Sequence, residues 1–281
     1  MKSETAQEIV KQYTQTGFCF PLRVLDESEV RDFSSRFLDF YAQRKARLSS
    51  IPAREQSALL SETHTSLDWV YKLAAHPRVL DAVESVLGPN LLIWGSRWFS
   101  KMPGDKTYVS WHQDGTYWGL QPPNVTTAWI ALSRSGVENG CLRVIPGSHL
   151  QGLLPQNETY APENALSRGQ EIAVEVDEDQ AVDLVLQPGE MSLHHIGIVH
   201  GSKVNTSDQP RIGIAVRYIT PEVVQSGPET PYAMLVRGSD RYNHFEHLSP
   251  PSTGMSEVEA DEIQRKAVER MLTSVMAKKE N

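Results

Sequence analysis

The stretch Ala181–Ile219, AVDLVLQPGEMSLHHIGIVHGSKVNTSDQPRIGIAVRYI, decides the architecture. It holds three short runs rich in Val, Ile and Leu, separated by QPGE and by the turn formers Asn205, Ser207, Asp208 and Pro210. In the last run, alternation puts Ile212, Ile214 and Val216 on one face and Arg211, Gly213, Ala215 and Arg217 on the other. One face is apolar. The other, small residues between two arginines, suits a strand that lines a polar cavity.

Working outward, runs of the same kind occur at 91–99 (LLIWGSRWF), 107–114 (TYVSWHQD), 126–132 (TTAWIAL) and 141–146 (CLRVIP), broken by PGD, QPPN, VENG and PGSH. No helical pattern alternates with them, which argues against a parallel α/β sheet. Their number suits a jelly roll or small double-stranded barrel. Helical periods flank this core. Asp26 and Glu29 sit at capping-box spacing ahead of Val30, Phe33, Phe37, Leu38 and Tyr41. A second helix is predicted near 76–87, with Pro77 in its first turn and Gly88 past its end. Ser256 and Glu259 repeat the capping spacing before Ile263, Val268, Met271, Leu272 and Val275, a face that could serve a homodimer. The sequence therefore predicts one domain over 1–281, mainly β with flanking helices. Its parts are a helical region at about 1–90, a β core at about 91–220, and a C-terminal loop and helix at about 221–281. The polar, acidic stretch 151–180 is predicted to be a long loop, and either it or the C-terminal segment is expected to move over the site.

Composition narrows the function. The 281 residues carry a net charge of −8, and the 27 Lys and Arg form no stripe, which argues against nucleic acid as partner. Two cysteines, Cys19 and Cys141, exclude a disulfide scaffold, and the charged start MKSETAQEIV predicts no signal peptide, so a reducing cytoplasm is the expected location. No apolar run is long enough to span a membrane.

Side chains two apart on a strand share a face, so His112 and Asp114 of Trp111-His112-Gln113-Asp114 would enter one cavity together. They supply two of the three ligands of a two-His, one-carboxylate iron site. His194, His195 and His200 are candidates for the third; His149, in PGSH, is explained by turn packing. Arg211, one turn and one return strand after His200, can clamp a carboxylate with two parallel hydrogen bonds. Metal beside a carboxylate clamp suggests a chelating dicarboxylate, 2-oxoglutarate. A zinc hydrolase could use the same ligands, but Arg211 would then have no task. A non-catalytic metal-containing barrel is the other alternative.

Residues 92–220 resemble the phytanoyl-CoA dioxygenase family of Fe(II)/2-oxoglutarate-dependent oxygenases. The matching stretches are WHQD, AWIAL, ENGCLRVIPGSH and HGSKVN followed by Arg211, with GFCFPLRVLDESEV similar to the family's opening. The resemblance implies that His112, Asp114 and His200 bind iron and that Arg211 holds the far carboxylate of 2-oxoglutarate, with Gln113, Trp129 and Ser202 also around the co-substrate. It implies use of O₂, oxidation of a small molecule, and release of succinate and CO₂. Related halogenating enzymes carry Ala or Gly where Asp114 stands, so hydroxylation is expected. Tyr117, Trp118, Tyr108 and Arg217 are candidates for the substrate pocket, Arg217 for an anionic group. An organophosphonate, an amino-acid-like compound or a secondary metabolite would fit. Lys101 and Lys106, bracketing MPGD, read as a solvated loop, and Cys19 and Cys141 as packing residues.

Overall fold

A computed structural model, which describes residues 5–50, 58–227 and 230–276, pairs the β runs into two facing sheets. The N-terminal region supplies α1 (Ala6–Thr16), β1 (Phe18–Arg23), α2 (Glu27–Ser49), α3 (Asp68–Ala74) and α4 (Pro77–Leu87). The middle supplies β2 (Leu91–Trp98), β3 (Val109–His112), the short α5 (Gly115–Trp118), β4 (Leu120–Gln121), β5 (Val125–Ala131) and β6 (Leu142–Val144). After these come β7 (Gln156–Glu158), β8 (Gln170–Ile172), β9 (Val182–Leu184), β10 (Glu190–His195), β11 (His200–Ser202) and β12 (Gly213–Ile219). β13 (Val224–Gln225), β14 (Tyr232–Arg237), β15 (Glu246–His247) and α6 (Glu257–Met276) complete the described chain.

The larger sheet runs β1-β10-β5-β12-β2-β14-β15 and the smaller one β3-β11-β6-β9. Together they form a double-stranded β-helix. Its outer layer follows from the alternation in β12: Ile214, Val216 and Tyr218 are fully buried and pack with Phe37, Val70, Leu73, Val79 and Val83 of α2, α3 and α4. Each such apolar side chain contributes roughly 1.5–3 kcal/mol by leaving water. The helices start where capping chemistry satisfies their first amides: Asp26 Oδ1 accepts from Glu29 N at 2.9 Å while Glu29 Oε2 accepts from Asp26 N at 2.8 Å. α4 begins at Pro77 and ends before Gly88, as its sequence predicts.

Two expectations need correction, and part of the C-terminal helix packs within the chain. The larger sheet takes β1 from the region predicted to be helical and β14 and β15 from the region predicted to be loop and helix. The 151–180 stretch is no free loop: β7 and β8 form a hairpin, Gln156 opposite Ile172, and buried Asn164 donates to Ser110 Oγ at 2.7 Å. The face of α6 is used within the chain, where Ala260, Gln264, Ala267 and Val268 are buried and Gln264 donates to Ser61 O at 2.8 Å. Among the described residues no helix is long and apolar enough to cross a membrane.

Candidate metal centre and its cavity

His112 ends β3 and lies directly opposite His200, the first residue of β11, so two distant parts of the chain place their imidazoles side by side, ring centroids 4.1 Å apart. Asp114 is not on the strand as expected. The chain leaves β3 after His112 and turns into α5, and this turn carries the carboxylate back to within 3.4 Å of His112 Nε2 and 3.9 Å of His200 Nε2. One donor atom from each of the three lies within 4.8 Å of the others. His112 Nδ1 sits 2.9 Å from Ser110 O and 3.0 Å from His200 O, and His200 Nδ1 sits 3.0 Å from Ile198 O. Carbonyls only accept, so each Nδ1 carries the proton and each Nε2 offers a lone pair to the centre. Burial and then the neighbouring His112 lower His200 to about 4, so it is neutral at ordinary pH. Burial would raise Asp114, but the His112 and His200 rings beside it and the Arg217 charge outweigh it and hold the carboxyl below its usual range. Two imidazoles and one carboxylate, turned to a common point with the outer ring nitrogens tied down, fit a divalent metal ion with an open face.

The triad opens into a cavity walled by Trp94, Trp118 and Trp129 and open at one side to solvent. Arg211 lines it, 2% exposed. Its guanidinium stands over the Trp129 ring at 5.3 Å and donates to Gly140 O and, at 3.2 Å, to Phe99 O. Its Nε has no partner, and no carboxylate pairs with it among the described residues. Burial lowers it to about 10, which leaves it cationic. Gly213 is required here: a Cβ on it would meet the Trp129 ring at 2.3 Å.

Other predicted site residues divide. Trp129, Ser202, Tyr117, Trp118 and Arg217 line the cavity. Gln113 does not: its amide donates to Gly152 O and Gly197 O and accepts from Leu154 N, tying the root of the 151–180 segment to the centre. Tyr108 lies in a separate surface cleft with Trp111, Arg143 and Glu178. His195 is structural, its Nδ1 accepting from Gly197 N at 3.0 Å, and His149 packs against Gly17. His194 differs from both. It lines the cavity 5.0 Å from His200, with its Nδ1 unpartnered.

Lys101 overturns its prediction as a solvated residue. It is 2% exposed, its Nζ lies 2.7 Å from Ser202 Oγ and also contacts Lys203 O, and burial followed by the Arg211 charge lowers it to about 6. Its backbone bridges Arg211, so it positions both Arg211 and Ser202. The sequence reading also missed Arg97, Thr127, Leu166 and the α6 residues Met271 and Leu272, all of which line the cavity. For Arg97 a signal existed in the alternation of LLIWGSRWF.

A family profile described as Phytanoyl-CoA dioxygenase (PhyH) matches residues 13–213, a span that holds every one of the metal-binding candidates and Arg211. The chain belongs to this family. Among its relatives, the peroxisomal phytanoyl-CoA dioxygenase of Rattus norvegicus is 24% identical over 226 residues, 74% of this chain and 66% of the relative. The chain thus spans a little under two thirds of the length of that relative. Among solved structures, the non-heme monooxygenase ThoJ in its apo form superposes with a TM-score of 0.81 at 31% identity, covering 95% of this chain and 97% of ThoJ. CytC3 with Fe(II) and alpha-ketoglutarate, at 24% identity and a TM-score of 0.60, covers 90% of this chain and 100% of its own and shares the fold.

Proposed function

We propose that the chain is an Fe(II)/2-oxoglutarate-dependent dioxygenase that hydroxylates a C–H bond of a small molecule. The observation that carries this reading is one cavity containing a His112–Asp114–His200 donor set and a buried Arg211 that has no carboxylate partner among the described residues. Family membership, the non-heme monooxygenase activity in the name of ThoJ and the iron and co-substrate held by CytC3 support it.

In this reading His112, Asp114 and His200 hold the metal, and Arg211 receives the far carboxylate of 2-oxoglutarate in the planar fork that a lysine could not offer. Ser202, positioned by Lys101, donates beside it. Trp129 walls the co-substrate and keeps the guanidinium flat. Bound iron and 2-oxoglutarate supply the oxygen chemistry, in which the co-substrate is decarboxylated to succinate and CO₂. Leu166 from the 151–180 segment and Met271 and Leu272 from α6 exclude water from the remaining space. Asp114 occupies the third ligand position, which supports hydroxylation over halogenation.

The test is succinate formation by the purified chain supplied with Fe(II), ascorbate, 2-oxoglutarate and O₂. Turnover that needs all of them and vanishes in Asp114→Ala is expected. Metal binding without succinate, over a broad panel of small molecules, would instead leave a binding protein.

A further inference from the structure

The cavity wall beyond the metal centre is more positive than the reaction requires. Arg97 on β2 lies opposite Ala215, and Arg217 lies two residues further along β12, opposite Thr127 of β5. Both arginines line the cavity, and both project from its inner face. Neither forms an ion pair among the described residues. Arg97 donates to Ala165 O at 2.6 Å and stands over the Phe99 ring at 4.6 Å; Arg217 stands over the Trp118 ring at 4.8 Å. The Nε of each is buried without a partner, as are Thr127 Oγ1 and His194 Nδ1 beside them.

Among the charged side chains lining the cavity, three arginines face one carboxylate, Asp114. Iron and 2-oxoglutarate, with charges of +2 and −2, leave that excess unchanged, and Arg211 is committed to the co-substrate. The residual positive charge is that of Arg97 and Arg217. Glu62, behind Arg217, forms no ion pair with it among the described residues: its carboxyl oxygens accept from Ser96 N at 3.1 Å and the Tyr232 hydroxyl at 2.9 Å, and burial raises it to about 7 against the lowering effect of the Arg217 charge. Unpaired buried cations are costly. Six residues of extended chain, roughly 20 Å, separate Arg217 from Arg211, so a five-carbon diacid anchored at Arg211 is too short to serve both ends.

We propose that Arg97 and Arg217 form the recognition site for an anionic group of the prime substrate, a small carboxylate or phosphonate on an apolar body. The apolar body packs against Trp118, Leu166, Met271 and Leu272, and the two guanidiniums, held flat on their aromatic rings, present donors edge-on to the oxyanion. This rests on the dioxygenase reading, because it assigns Arg211 to 2-oxoglutarate.

The experiment is anaerobic calorimetry on the Fe(II)-loaded chain. 2-Oxoglutarate is titrated first, followed by aryl and alkyl carboxylates, their phosphonates, and the neutral amide of each. Acids are expected to bind at least about tenfold more tightly than their amides. Arg97→Gln and Arg217→Gln are each expected to weaken the acids by about 10- to 100-fold while leaving amide and 2-oxoglutarate affinities within about twofold. Arg217→Lys, which keeps the charge but loses the fork, falls between and serves should Arg217→Gln fail to fold by its melting curve. The carboxylate and phosphonate arms identify which oxyanion the site takes. Amides that bind as well as acids, acids indifferent to both substitutions, or a panel in which nothing binds would overturn the anion site. Failure of 2-oxoglutarate to bind the wild-type chain would overturn the dioxygenase reading instead, and is scored separately in the same titration.

Discussion

The two faces of β12 are built to different rules. Outward, Ile214, Val216 and Tyr218 meet the helices in a fully buried layer, where volume and hydrophobicity dominate and the one polar group, the Tyr218 hydroxyl, donates to Ala74 O. Inward, Gly213, Ala215 and Arg217 stand in a row where size and charge are set residue by residue: Gly213 makes room for Trp129, Ala215 for the cavity, and Arg217 carries a charge that forms no ion pair among the described residues. Stability resides on the first face and chemistry on the second. A substitution on either face therefore moves one property and spares the other.

The largest effect is expected from the cavity side. His200→Ala removes one donor of three and should lower succinate formation by more than about 100-fold, beyond what loss of an outer-sphere partner of a metal costs. The melting temperature of the metal-free protein should stay close to wild type. Next, Arg211→Met should raise the KM for 2-oxoglutarate by about 10- to 100-fold, the worth of charged hydrogen bonds in a buried site, as read by initial rates against co-substrate concentration. On the opposite face, Ile214→Ala should cost about 2–5 kcal/mol in denaturant melts and leave that KM unchanged. An Ile214→Ala enzyme with normal stability and an altered KM would break the comparison.

The smallest effect tests the border between the faces, where Glu62 sits behind Arg217 at φ 57°, a backbone angle rarely adopted by residues with side chains. Its Oε2 meets the Tyr232 hydroxyl, which also reaches Ala267 O of α6 at 2.8 Å. Burial raises Glu62 from 4.5 to about 7, so the folded state binds its proton more tightly than the unfolded chain does. Its contribution to stability is present below pH 4.5 and is lost as pH rises through 7. Glu62→Gln should flatten the decline of stability across that window in pH-dependent melts.

Much of this was legible because it is local. The seven β runs, the helix caps at Asp26 and Pro77, and the alternation from Arg211 to Arg217 depend on neighbours a few residues away, and the structure contains each. The pairing of His112 with His200 is implied by the family resemblance, since the residues alone leave His194 and His195 open, and becomes contact through the β3–β11 register. What was hidden depends on tertiary contact. Lys101 beside a turn reads as exposed, yet its amine is covered by Ser202 and Lys203 from a hundred residues away. Gln113 carries no local sign that its amide is spent on Gly152, Leu154 and Gly197. β14 pairs with the edge of β2 and β15 with β14, contacts that no local pattern announces.

Anaerobic titration of 2-oxoglutarate into the chain, with and without Fe(II), tests the central assignment most directly. One equivalent is expected to bind in the presence of metal, with binding greatly weakened in metal-free protein and in Arg211→Met. Binding that ignores both the metal and Arg211, or no binding to the metal-loaded wild type, would contradict the assignment.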